Sequence, residues 1–424
     1  MLYERWTRIS QERRNERALR DLVSGKHWTF GELFAEGEKF GSRGARPSET
    51  IIFPSGNSPE FIFQLLAAWR QGKPACPLEP GQTPPSIADI PAGIAHFKCT
   101  SATAGAARLV AFTGEQLAAD AENIVATMAL RADWPNVGVI SLAHSYGFSN
   151  LVLPLLLHGI PFVIAPAPLP EIIRRAADGE GAVTVPAVPA MWRAWHEAGA
   201  IPKNVRLAIS AGAPLPVQLE REIFEKHELK IHNFLGASEC GGIAYDALAT
   251  PRDDVSLAGT PMKNVELSLD EAGCLIVRSR AVAQSYWPAS PDEAASRLGN
   301  GVFHSSDLAT LEQGKVILRG RMSDVINVAG RKVSPETIER ELLADPRVRE
   351  CLVLGLPSRD ADRIEVIAAV VVSDAGEAEL KKFLLDRLPA WQVPREWHFV
   401  ESLQVNARGK VSRAEWRRRL LNHG

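Results

Sequence analysis

Up to the region of Asn300 the chain alternates helical periodicities with short, almost continuously apolar runs. That alternation restricts the fold more than any other feature. Arg108 to Phe112, Val137 to Leu142, Pro161 to Ala165 and Val205 to Ser210 read as strands, as does Glu49 to Pro54. Helical stretches separate most of them, such as Pro59 to Gln71 and one starting near Gly31 with Thr29 placed to cap it. Strands apolar on both faces, alternating with helices, predict parallel sheets covered on both sides. Val265 to Leu269, Gly273 to Arg278 and Lys315 to Leu318 are shorter and turn-separated, which predicts a smaller antiparallel subdomain.

After Ser323 the pattern resets. Val325 to Val328 is a short apolar run closed by glycine, and Ser334-Pro335-Glu336 leads a helix to Leu343. Val348 to Leu356 and Arg363 to Val372 read as strands, Ala378 to Leu388 as a helix, and a basic helix begins at Arg413. The expected fold is therefore multidomain, α/β and α+β. A large domain, residues 1–322, carries parallel-rich sheets flanked by helices, and residues 323–424 form a small α+β domain.

Composition removes several function classes. A net charge of -2 gives no electrostatic footprint for nucleic acid. The five cysteines are scattered without a CxxC pair, which suits a reducing compartment and speaks against a zinc cluster. Leu151 to Ala167 is the most apolar run, but Pro154, His158, Gly159 and Pro161 interrupt it. It reads as a buried helix followed by a strand, with no membrane span. The charged N-terminus has no signal-peptide core, so the expected location is cytoplasmic. Pro74 to Pro91 reads as an irregular surface connection.

Four local patterns could carry chemistry. Thr100-Ser101-Ala102-Thr103-Ala104-Gly105 is a loop of small and hydroxylated residues whose backbone N–H groups could approach a phosphate, or simply a solvent-facing turn. His144 follows an apolar strand, where histidines are often only satisfied polar groups. Glu239 and Lys410, taken alone, would be solvated charges.

In order along the chain, segments 100–117, 141–148, 210–215, 233–239, 301–308, 320–339 and 406–413 resemble the core motifs of the adenylate-forming (AMP-binding) superfamily. That superfamily includes acyl-CoA synthetases, acyl-AMP ligases, peptide-synthetase adenylation domains and luciferases. The resemblance implies ATP-dependent activation of a carboxylic acid to acyl-AMP with release of pyrophosphate. Transfer to the thiol of CoA or of a phosphopantetheinyl acyl carrier protein would follow.

The resemblance also implies roles. Thr100, Ser101, Thr103, Gly105 and Arg108 would hold the ATP phosphates. Gly212, Ala213, Pro214, Phe234, Leu235 and Gly236 would surround adenine, Ser238 would approach the α-phosphate, and Glu239 would bind Mg²⁺. Asp307 would accept the ribose hydroxyls, with Arg321 beside ribose or phosphate. His144 would orient the reacting carboxylate, with Tyr146, Gly147, Phe148 and Gly241 at the acyl pocket. Lys410 would bridge the acyl carboxylate and the α-phosphate. Ser323 would be the hinge of a mobile C-terminal domain, and Gly330 and Arg331 would line the pantetheine tunnel.

The chain departs from the family pattern in places. Ala102, Ala107 and Arg108 stand where Gly, Pro and Lys are usual, and Leu235 replaces an aromatic residue. Ser305 and Ser306 replace Thr-Gly. The region before the phosphate loop is shorter than in a typical synthetase, which could open the acyl pocket or create a homodimer surface. No acidic residue is placed to select an amino acid's ammonium, so a fatty or aromatic acid is expected. The departures leave two alternatives open: an acyl-AMP ligase without CoA transfer, and a noncatalytic acyl- or nucleotide-binding homologue.

Overall fold

The computed structural model describes residues 1–43, 50–87, 89–99, 108–288, 297–358, 365–403 and 411–422. At its centre is a fourteen-stranded sheet among those residues. Arg17–Asp21, Phe162–Ile164, Asn136–Gly138, Val183–Ala187, Val205–Ser210 and Ile231–Ala237 lie side by side in that order, each pairing parallel to the next. Every residue of Phe162–Ile164 and of Val183–Ala187 is buried, which is why these runs are apolar without alternation.

Helices cover this sheet. Gly114–Thr127 starts at a capping box in which the Thr113 hydroxyl accepts from the Gln116 amide and the Gln116 side chain accepts from Thr113. Thr29 and Glu32 make the same reciprocal pair at the head of Phe30–Arg43, as Thr29 suggested in the sequence. Pro59–Arg70 buries nine of its twelve residues, among them Phe61, Ile62, Leu65 and Leu66. It is an interior helix, whereas its sequence reads as amphipathic.

The structure adds three points to the sequence reading. The strands Glu266–Leu269, Cys274–Arg278, Val302–Glu312 and Lys315–Arg321 are antiparallel, but they extend the large sheet through Leu257–Pro261 and Gly241–Tyr245. Glu49 to Pro54 forms no strand among its described residues; Ile52 makes only an isolated bridge to Ala75. The charged N-terminus holds the helix Leu2–Glu12, with Trp6 fully buried, ahead of the edge-side strand Arg17–Asp21. Charge masked that helix because its apolar stripe is narrow.

The C-terminal part follows its sequence pattern closely. Ile326–Val328 and Arg331–Val333 form a hairpin whose two-residue turn, Ala329 and Gly330, has both φ angles positive at 51° and 81°. The helix Pro335–Leu343 follows, then a sheet of Val348–Pro357, Glu365–Ser373 and Glu396–Phe399, with the helices Glu377–Leu385 and Arg413–Asn422. Most buried apolar residues between Leu2 and Val316 share one core, with a smaller cluster of Ile51, Cys76, Leu78, Ile94, Phe97, Leu109 and Ala111 apart from it; the C-terminal part holds two further clusters, one spanning Ile326 to Val393 and one spanning Leu352 to Trp416. No helix among the described residues is long and apolar enough to cross a membrane.

Candidate active site

The strand Ile231–Ala237 reverses through Ser238, Glu239 and Cys240 into Gly241–Tyr245. Gly241 takes a left-handed φ of +70°, and a Cβ there would lie 2.0 Å from Asp120 Oδ1, so only glycine fits. The turn presents Glu239. Its Oε1 accepts a hydrogen bond from the Tyr286 hydroxyl at 3.1 Å. Burial pushes the Glu239 carboxyl above the ordinary carboxylate range. Burial and this carboxylate also push the Tyr286 phenol up. Arg108 closes the arrangement, its guanidinium 5.9 Å from the Tyr286 ring centre.

The acyl-side segment begins where the central strand Asn136–Gly138 leaves the sheet. Asn57 ties it down, accepting from the Leu142 amide at 3.0 Å and donating to the Ile140 carbonyl at 3.2 Å. Glu79 Oε1 accepts from Ser141 Oγ at 2.5 Å and lies 3.0 Å from His144 Nε2. The chain then enters one continuous helix, Ser145 to His158, with a π-turn over Phe148–Val152. Its first residue reaches across the site, the Ser145 hydroxyl lying 3.0 Å from that of Ser238.

Tyr146 sits deeper. Its hydroxyl donates toward the Ala187 and Ile209 carbonyls, each at 3.4 Å, and its ring centre is 5.9 Å from that of Phe234. Gly147 is packed so closely that a Cβ would meet the Ser141 carbonyl oxygen at 2.0 Å. Phe148 is buried, with its ring stacked on His96 at 4.2 Å, and so belongs to the core behind the site.

On the other flank Asp307 and Arg321 are register partners on adjacent antiparallel strands. Arg321 Nε donates to Asp307 Oδ1 at 2.8 Å, and the Asp307 amide donates to Ser305 Oγ at 3.0 Å. The Asp307 charge holds Arg321 firmly protonated. Both groups lie within electrostatic reach of Glu239. Gly212, with φ +86°, Ala213 and Pro214 leave the strand Val205–Ser210; Gly212 and Pro214 are exposed. Leu235 is half-buried and Gly236 exposed.

Thr100, Ser101, Thr103, Gly105 and Lys410 lie outside the described residues. Ser323 is exposed in the short turn Met322–Asp324, where its hydroxyl donates to Asp324 Oδ1 at 3.0 Å. Gly330 donates to Asn327 Oδ1 at 2.9 Å, and Arg331 stacks over Trp391 at 5.5 Å.

The structure thus brings Ser145 to Ser238, Tyr146 to Phe234 and Tyr286 to Glu239, with His144 at the head of the acyl-side helix and with Asp307 and Arg321 within electrostatic reach of Glu239. Reading the sequence missed Glu79, which sits in the proline-rich connection where nothing local marks it. The Tyr286-Trp287 dipeptide resembles the superfamily's Tyr-Trp element in sequence, and the structure places Tyr286 on a strand paired with Leu109–Thr113, its hydroxyl on Glu239.

Comparison with known proteins gives a consistent result. The family described as AMP-binding enzyme matches residues 91–287, and the AMP-binding enzyme C-terminal domain matches residues 337–410. A feruloyl-CoA synthase of Amycolatopsis sp is 27% identical over 394 residues, covering 87% of this chain and 79% of that protein. A 2,3-dihydroxybenzoate-AMP ligase of Bacillus subtilis is 25% identical over 340 residues, covering 76% and 63%. Among solved structures, ATP-bound MatB from Rhodopseudomonas palustris superposes with a TM-score of 0.86 at 21% identity, covering 99% of each chain. At that identity the likeness shows a shared fold.

Proposed function

The chain belongs to the AMP-binding enzymes, and on that premise we propose that it is an AMP-forming acid–thiol ligase acting on an aromatic or fatty carboxylic acid. The observation that carries this reading is the Ser145–Ser238 contact at 3.0 Å. It places the acyl-side helix directly against the turn that holds Glu239, so acid and nucleotide would meet at one point.

In the first half-reaction a substrate carboxylate oxygen attacks the α-phosphorus of ATP, the bond to the pyrophosphate oxygen breaks, and acyl-AMP forms. No general base is needed, because a carboxylate is already ionised at neutral pH. His144 orients the acid, and Asp307 and Arg321 hold the ribose and its neighbouring phosphate. Thr100, Ser101, Thr103, Gly105 and Arg108 receive the leaving phosphates. Lys410 offsets the charge that gathers between carboxylate and α-phosphate. In the second half-reaction the thiol attacks the acyl carbonyl, AMP leaves, and a thioester remains.

Glu239 fits a Mg²⁺ site: it is a partly buried carboxylate with one protein hydrogen bond and a charge that burial disfavours. Among the described residues no group of three or more metal-ligating side chains exists, so phosphates and water would complete the shell. Bound there, Mg²⁺ would neutralise phosphate charge.

We assign residues 1–322 and 323–424 to two domains that rotate about Ser323 between the half-reactions. Separate hydrophobic cores and the exposure of Ser323 support this reading. Gly330 and Arg331 would then line the thiol's path. CoA is the preferred acceptor, since the relatives bearing CoA-ligase names include the feruloyl-CoA synthase and a 2-succinylbenzoate–CoA ligase. The relatives also include a long-chain-fatty-acid–CoA ligase, so aryl and aliphatic acids both belong in the test.

The test is to incubate the protein with Mg²⁺-ATP and a panel of aryl, fatty and amino acids. AMP, acyl-AMP and thioester would be measured with CoA, with a pantetheinylated carrier protein, and with neither. Acid-dependent acyl-AMP and acyl-CoA are expected. Acyl-AMP without any thioester would make the protein an acyl-AMP ligase, and silence with every acid would overturn the enzyme reading.

A further inference from the structure

Beneath the Glu239 turn lies a buried ion pair that the reaction above does not use. Lys98 is 2% exposed and Asp120 is 1% exposed. Lys98 Nζ donates to Ser149 Oγ at 3.3 Å, lies 3.8 Å from Asp120 Oδ2, and sits 4.5 Å from the Phe112 ring centre. Asp120 is used on both oxygens. Oδ2 accepts from Ser149 Oγ at 2.6 Å, and Oδ1 accepts the Gly242 amide at 3.2 Å.

Stability alone does not explain such a pair. Taking two charges out of water costs several kcal/mol each, and well-packed apolar replacements commonly do as well or better. What the pair does uniquely is join four segments. Lys98 is on the strand Ile94–Cys99, Asp120 on the helix Gly114–Thr127, and Ser149 in the π-turn of the acyl-side helix. Gly242 follows the turn that carries Glu239, with Gly241 pressed against Asp120 so tightly that no side chain fits between them. Without Lys98, Asp120 would face no cation among the described residues, and any shift of its side chain toward water would loosen its hold on the Gly242 amide.

We propose that Lys98 and Asp120 are positioning residues that clamp the Ser238–Gly242 turn and so fix the Glu239 carboxylate relative to the acyl-side helix. The catalytic meaning of the clamp rests on the Mg²⁺-ligase reading of Glu239; the clamp itself does not. Burial pulls the Lys98 ammonium down, and the Asp120 carboxylate beside it is the main group that sustains it.

Two variants test this, K98M and the charge-free pair K98M/D120L. Both are read by hydrogen exchange at the Gly242 amide, by melting temperature, and by the Mg²⁺ dependence of acid-driven AMP release. The expected result is accelerated Gly242 exchange in both variants. A kcat about tenfold lower and a Mg²⁺ half-saturation about fivefold higher are expected, with the acid KM within about twofold, as for other residues that orient a ligand. The double variant should melt near the wild type yet keep the catalytic defect, which a purely structural role would not produce. Unchanged Gly242 exchange in the folded double variant overturns the clamp whatever the activity. Faster exchange with wild-type kcat and Mg²⁺ response overturns its role in catalysis. A wild type that releases no AMP with any acid overturns the ligase reading instead, and the exchange measurement still decides the clamp.

Discussion

Glu79 Oε1 lies 3.0 Å from His144 Nε2 and also accepts the Ser141 hydroxyl, so one carboxylate fixes both ends of the segment that leads into the acyl-side helix. A carboxylate oxygen at that distance from Nε2 favours a proton on that ring nitrogen. That sets the ring's orientation before substrate arrives.

E79Q should therefore lower acyl-AMP formation by about tenfold, the cost of roughly 1.4 kcal/mol of lost charge-assisted hydrogen bonding. H144A should cost more. Pyrophosphate release at saturating ATP and acid measures both; equal rates for E79Q and wild type would remove Glu79 from the site's support.

E239Q should oppose activity and stability. Burial raises the folded pKa of Glu239, so the native protein holds that proton more readily than the unfolded chain does. The ionised carboxylate is thus a destabilising charge above its folded pKa, and this penalty disappears as pH falls through that value. Replacing it with an amide should raise the melting temperature of the metal-free protein at neutral pH by about 1–3 °C. Mg²⁺-dependent AMP release should meanwhile collapse. In the wild type, the Mg²⁺ response should fade on the acid side at a pH above the ordinary glutamate value of about 4.3. Calorimetry in EDTA and a Mg²⁺ titration at several pH values check both.

K410A should reduce adenylation by about 10²- to 10³-fold while ATP binding changes little, because the contact would be made chiefly in the transition state. Supplied acyl-AMP should still be converted to the thioester. Loss of both half-reactions together would point to a folding role for the segment instead.

A buried network behind the nucleotide strand should dominate stability. Arg252 and Glu220 are fully buried, Arg252 Nε donating to Glu220 Oε2 at 2.9 Å, and Lys230 pairs with both Glu220 and Asp246. R252M leaves Glu220 with an unmatched share of buried charge and should cost about 3–5 kcal/mol. The denaturant midpoint should fall with an unchanged slope, and E220L in the same chain should recover part of the loss.

Much of this protein was determined by sequence alone. The apolar strands, the Thr29 and Thr113 caps, and the hairpin and helix after Ser323 follow from local periodicity and turn chemistry. The ordered motifs around His144, Ser238, Glu239, Asp307 and Arg321 were legible only through their resemblance to the adenylate-forming superfamily. Three things were decided only in three dimensions. The antiparallel strands join the large sheet because hydrogen-bonded edges, which no local pattern encodes, continue across Gly241–Tyr245. Phe148 reads like a pocket residue, yet its helix turns it onto His96 in the core. Glu79, Lys98 and Asp120 look like ordinary solvated charges along the chain. Their meaning comes from partners 65, 51 and 122 positions away, at His144, Ser149 and Gly242. Folding alone sets those distances, because a charge gains its role from what faces it and from how little water remains around the pair.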